Sequence, residues 1–128
     1  MEILSNNSFL MLEKSMDFLW TKQAAILDNI SNVETPNYKA KVVTFEETLK
    51  ERLEAARSER NPRRAVREVL NSSEFAVVDV QESTRMDENG VNLTEQSTEL
   101  VRNSYQLQYV MQAISSEISE LRTAITGQ

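Results

Sequence analysis

Four arginines fall within eight residues, Arg60, Arg63, Arg64 and Arg67 in RNPRRAVR, and they form the densest basic cluster of the chain. Guanidinium groups at that density can contact successive phosphates. No aromatic residue interleaves with them for base stacking, however, and the acidic C-terminal half would repel a polyanion. The other reading is a solvated loop whose arginines meet carboxylates of a neighbour, including a neighbour of the same kind. Elsewhere the inventory excludes more than it offers. The 128 residues contain no Cys and no His. That removes disulfides, thiolate nucleophiles, Cys/His zinc sites, and Ser-His-Asp or Cys-His catalysis. Carboxylate-pair chemistry survives on 20 acidic residues. In a helical chain, though, Asp and Glu ordinarily form the solvated face. No catalytic, cofactor-binding or metal-binding residue is assigned, and neither an enzyme nor a small-molecule or nucleic-acid ligand is expected.

The elements that would carry any function are long helices. Two Gly and two Pro in the whole chain are too few for a strand-and-turn sandwich. The formal charge of −6 is unevenly spread, with −2 over residues 1–33, +3 over 34–67 and −7 over 68–128. No apolar run approaches the roughly 18 residues that span a bilayer. The start, MEILSNNSFL, lacks a basic segment followed by a sustained apolar one, so no cleaved secretory signal is expected.

Near the N-terminus Phe9, Leu12, Met16, Leu19, Gln23, Ile26, Ile30 and Val33 alternate three and four apart, the seam of a coiled coil, with Gln23 the polar exception. Asn6 or Asn7 is its expected N-cap. Leu93, Ser97, Leu100, Ser104, Leu107, Met111, Ile114, Ile118, Leu121 and Ile125 repeat the pattern at the other end. Asn92 with Glu95 reads as a capping box that starts this second helix. At about 1.5 Å per residue these helices would run about 40 and 50 Å, long for a domain of this size. Residues 101–116 carry a single charge, Arg102, with Gln, Asn, Ser and Tyr at the remaining polar positions. Such a surface suits a helix with helices on several sides.

The expected fold is therefore mainly α. Heptad helices at 1–33 and 93–128 pair as a coiled coil, together one domain with a middle insert over 34–92. Within the insert TFEETLKERLEAARSER reads as a short helix with Phe45, Leu49 and Leu53 on one side, ended by Asn61-Pro62. EFAVVDVQES reads as a strand of a β-ribbon, and Asp87-Glu88-Asn89-Gly90 as a turn. The first helix ends in an unusually specified way. Pro36 forbids its continuation and pushes Thr35 out of the α region, Asn37 can take a positive φ, and Tyr38 can pack back on the helix end.

At this stretch, DNISNVETPNYKAK, the chain resembles the signature of bacterial flagellar rod and hook proteins, N-I-A-N-A-x-T-P-G-Y. YKAKVVTFEE, the overall length and DENGVNLTEQSTELVRNSYQLQYVMQAISSEISELRTAI are similar to proximal-rod members of the flagellar basal-body rod protein family. The likeness covers roughly residues 5–50 and 85–126. Asn29, Ile30, Asn32, Thr35, Pro36 and Tyr38 match; Ser31 and Val33 replace the usual Ala, and Asn37 the usual Gly.

The resemblance implies that the terminal segments form a helical pair in the inner tube of the flagellar axis. It also implies export without a cleaved signal, location in the basal body, and no cofactor. The expected partners are copies of the same chain, other rod proteins, and basal-body ring and export-gate components, in head-to-tail contacts that build an open array. The expected role is a structural subunit of the proximal rod, linking the membrane-embedded base and export gate to the distal rod, transmitting torque and required for motility. The assembly seam is expected at Leu12, Met16, Ile26, Ile30, Leu107, Met111, Ile114, Ile118 and Leu121. The competing reading is a cytosolic coiled-coil adaptor or export chaperone, which would be a closed homodimer.

Overall fold

A computed structural model describes residues 7–44, 46–80, 86 and 89–127. Among them run α1 (Asn7–Ser31), β1 (Ala40–Thr44), α2 (Glu46–Arg57), α3 (Pro62–Asn71), β2 (Ala76–Val80) and α4 (Leu93–Thr126). The expected mainly helical fold with a small central ribbon is what forms. The expected Asn6 cap, Phe45, Gln81 to Ser83 of the strand, and Asp87 and Glu88 of the turn lie outside the described residues. Of the other cap candidate, Asn7 is the first residue of α1, and its side chain is occupied by α3. It donates to the Arg63 carbonyl at 3.0 Å and accepts from Arg67 Nε at 3.4 Å.

The chain divides into two compact units. One comprises Met1–Asp17, Phe45–Glu74 and Gln108–Gln128, and α2 packs on α3 within it. Its buried apolar residues are Leu49, Ala56, Leu70 and Val110. Ser8 Oγ ties α1 to α4 here by donating to Glu117 Oε1 at 2.8 Å.

The second helix of this unit corrects the expected insert, which has two helices rather than one. Pro62 begins α3 as well as following α2. A proline at the first helical position loses nothing, since its missing N–H would have had no partner there. The Asn61 side chain accepts from Arg64 N at 3.4 Å as the cap. From that start Ala65, Val66, Val69 and Leu70 turn to one side, and Leu70 is only 1% exposed. The arginine cluster read as a loop is therefore mostly helix. Arg64 pairs with Glu68 at 3.0 Å, one turn on.

The other unit, Phe18–Thr44 with Phe75–Leu107, holds the ribbon. β1 and β2 pair antiparallel, with Lys41 opposite Asp79 and Val42 opposite Val78. The second half of α1 and the first half of α4 pack together in the same unit. Phe18, Leu19, Ala25, Ile26, Ala40, Val91 and Leu107 are buried. Phe18 meets Phe75 edge-on, with ring centroids 6.2 Å apart. Three side chains buried to 1% or less in this unit are polar, namely Asn29, Asn89 and Asn103. Asn92 Oδ1 accepts from Glu95 N at 3.2 Å, so α4 starts at its expected cap.

The buried stripe of α4 departs from the expected seam. Asn103, Leu107 and Val110 are buried, whereas Leu93, Met111, Ile118 and Ile125 are exposed. The apolar stripe of this helix is wider than one neighbouring helix covers, so one flank of it stays outside.

Candidate functional site

The turn after α1 is built from side chains that replace missing backbone partners. Asn29, on the last turn of α1, is fully buried. Its Oδ1 accepts from Lys41 N at 2.7 Å, and its Nδ2 donates to Lys41 O at 2.9 Å. One amide thus serves the Lys41 backbone as a neighbouring strand would, and fixes β1 against the helix end. Nδ2 also donates to Gln96 Oε1 at 3.0 Å, and the Tyr38 hydroxyl donates to Oδ1 at 3.4 Å. Asn29 thereby joins α1, β1 and α4 at one point.

Asn32 works locally. Its Nδ2 donates to the Asp28 carbonyl at 2.8 Å, and its Oδ1 accepts from Thr35 Oγ1 at 3.1 Å. Asn37 has φ 59°, the left-handed conformation expected of it. Asn89, 1% exposed, closes the loop from the far side. Its Nδ2 donates to the carbonyls of Asn32 and Thr35, and its Oδ1 accepts from Val91 N at 2.8 Å. Beside it Gly90 N donates to the Tyr38 carbonyl at 2.9 Å.

Electrostatics reinforce the same corner. Lys41 Nζ pairs with Asp28, and this hydrogen bond holds the ammonium above its ordinary pKa. Burial, with the Asp28 charge nearby, raises the Tyr38 hydroxyl as well. Both groups therefore keep their protons through neutral pH. What they contribute to stability is lost only in strongly alkaline solution, as pH rises through the raised values.

The predicted turn residues, Asn29, Ile30, Asn32, Thr35, Pro36 and Tyr38, all lie in the ribbon unit. Asn29 is buried, Ile30, Asn32 and Tyr38 are half-buried, and Thr35 and Pro36 are exposed. Of the seam set, Ile26 and Leu107 are buried in that unit with Ile30 beside the turn. Leu12, Met16, Ile114 and Leu121 are half-buried in the other unit, where Met111 and Ile118 are exposed. Sequence reasoning missed Asn89, Gln96 and Asn103. In sequence Asn89 looks like an ordinary turn residue, and Asn103 like one of several uncharged positions on α4.

No family model matches the sequence. A curated relative does, the flagellar basal body rod protein FlgB of Bacillus subtilis (strain 168). It is 31% identical over 119 residues, which covers 91% of this chain and 91% of the relative. The chain belongs to the FlgB family of flagellar basal-body rod proteins. In this rod protein the turn with left-handed Asn37 is thus a conformation with a specific side-chain demand. Asn37→Val should destabilise the folded chain by about 1–2 kcal/mol, the cost of a β-branched residue at positive φ. Asn37→Gly should be neutral within about 0.5 kcal/mol. Urea unfolding of the two variants checks this order.

Proposed function

We propose that the chain is a non-enzymatic structural subunit of the flagellar proximal rod, located in the basal body. It joins the membrane-embedded base and export gate to the more distal rod and carries torque through helix packing. Its partners are copies of itself, other rod proteins, and ring and gate components. Segments 1–33 and 93–128 are its assembly segments, reaching the rod by export without a cleaved signal, and 34–92 supply the turn and a variable insert. On this reading the paired helices continue into neighbouring copies as a bundle.

One observation supports this reading beyond family membership. Large apolar side chains stand exposed along both long helices, among them Trp20 and Leu27 on α1 and Val101, Met111, Ile118 and Ile125 on α4. Scattered exposed apolar residues are ordinary, but a series of them along two long helices supports faces that neighbours would cover.

The test is Ile118→Asp. This side chain is about half exposed, so the purified variant should keep its helicity. The charge should prevent its face from being buried, leaving the chain exported but absent from basal bodies and the cells non-motile. Motile cells with the variant incorporated would overturn the proposal.

A further inference from the structure

The contact between α1 and α4 in the ribbon unit holds a polar pair where an apolar one would be more stable. Asn103 is fully buried. Its Nδ2 donates to the Leu19 carbonyl at 3.0 Å and to Gln23 Oε1 at 2.7 Å. Its Oδ1 has no hydrogen-bond partner among the described residues. A buried carbonyl left unpaired destabilises a fold, so some other property must explain why the position is polar.

That property lies in the repeat of the two helices. Leu12, Leu19, Ile26 and Val33 recur every seven residues near the N-terminus, and Leu100, Leu107, Ile114 and Leu121 recur every seven in α4. Sliding one helix past the other by a heptad therefore sets Leu, Ile or Val where Leu, Ile or Val stood. Apolar burial barely distinguishes the registers. The rows that do distinguish them are Met16-Gln23-Ile30 and Gln96-Asn103-Val110, with the bond from Asn29 to Gln96 at the turn end of the pair. Only one register faces Asn103 with Gln23. A slide of seven brings Val110 or Gln96 there instead, and it also removes Glu99 from Lys22, its partner at 3.1 Å.

We propose that Gln23 and Asn103 are the register key of the α1–α4 pair, making one of several near-equivalent heptad alignments the only one that gives the buried Asn103 amide Gln23 as its acceptor. A single buried polar position can fix helix register in this way while lowering stability. The pair thereby decides which exposed apolar residues stand level with each other, Trp20 and Leu27 on α1 with Leu93 and Val101 on α4. The importance of that alignment for assembly rests on the rod-subunit reading; the key itself does not.

The absence of native cysteine gives a direct readout, because introduced thiols are the only ones in the chain. Lys22→Cys with Glu99→Cys reports the native register under a short bis-maleimide. Lys22→Cys with Gln106→Cys reports a slide of one heptad. Intramolecular cross-links are identified by mass spectrometry in basal bodies purified from cells making each chain. With Gln23 and Asn103 present, only the first pair should link. With Gln23→Leu and Asn103→Leu, the second link should rise at least tenfold. The exchanged pair, Gln23→Asn with Asn103→Gln, should restore the first link alone.

A double-leucine chain that keeps only the native link overturns the proposal. If that chain is not incorporated at all, the exchanged pair decides: incorporation with the native link supports the key, and failure overturns it. If the unaltered chain is itself missing from basal bodies, the rod reading falls instead, and the same cross-links on the purified chain still settle the register.

Discussion

Asn29→Leu should lower the stability of the folded chain by about 3–5 kcal/mol, a large part of the roughly 5–15 kcal/mol that a domain possesses. The substitution keeps the volume similar and removes every hydrogen bond of a fully buried amide. It leaves Lys41 N–H and C=O without the groups that serve them at 2.7 and 2.9 Å, and Gln96 Oε1 without its donor at 3.0 Å. Each buried polar group left unpaired costs about 1–3 kcal/mol. Asn32→Ala is the comparison. Its bonds to Asp28 and Thr35 are local, the first part-buried and the second exposed, and water can replace them, so its cost should stay near about 1 kcal/mol. Urea unfolding followed by circular dichroism measures both. Equal effects at the two positions would mean that the amide of Asn29 is not a surrogate strand.

The second large effect belongs to the other unit. Leu70→Ala should cost about 2–5 kcal/mol, the range for opening a cavity at a closed apolar site. Leu70 is 1% exposed, the most deeply buried apolar residue among those described, on a helix of only ten residues. A helix that short has little stability of its own and depends on packing. Amide exchange should therefore accelerate first in α2 and α3. Because Leu70 and Asn29 share no hydrogen-bond partner and belong to different units, the double variant should cost the sum of the two within about 0.5 kcal/mol. A marked departure from additivity would show that the two are coupled.

How much of this was legible depended on how local each cause is. The break at Pro36, the left-handed Asn37 and the Asn92 cap follow from the chemistry of one to four adjacent residues, and the sequence reading found all three. Helix α3 is not anticipated because Asn61-Pro62 by itself reads as a terminator. The same dipeptide is equally a cap followed by a first-turn proline, and Ala65, Val69 and Leu70 carry the deciding apolar spacing. Asn29 was picked out only by its place in a motif. What it bonds to depends on where β1 and Gln96 arrive, 12 and 67 residues along the chain. Asn89 reaches Asn32 across 57 residues, which no local pattern encodes. The apolar period of α4 is legible in its sequence. Which flank of it a neighbour covers depends on the partner helix, and there Asn103 rather than Ser104 lies innermost.

A two-strand ribbon has two open borders, and each can template the addition of an unrelated extended segment, the first step toward fibrous aggregates. At Lys41 the border of β1 is already occupied by the amide of Asn29. Loss of that amide would therefore do more than loosen a turn: it would leave a β-branched, adhesive border open to any extended segment that meets it.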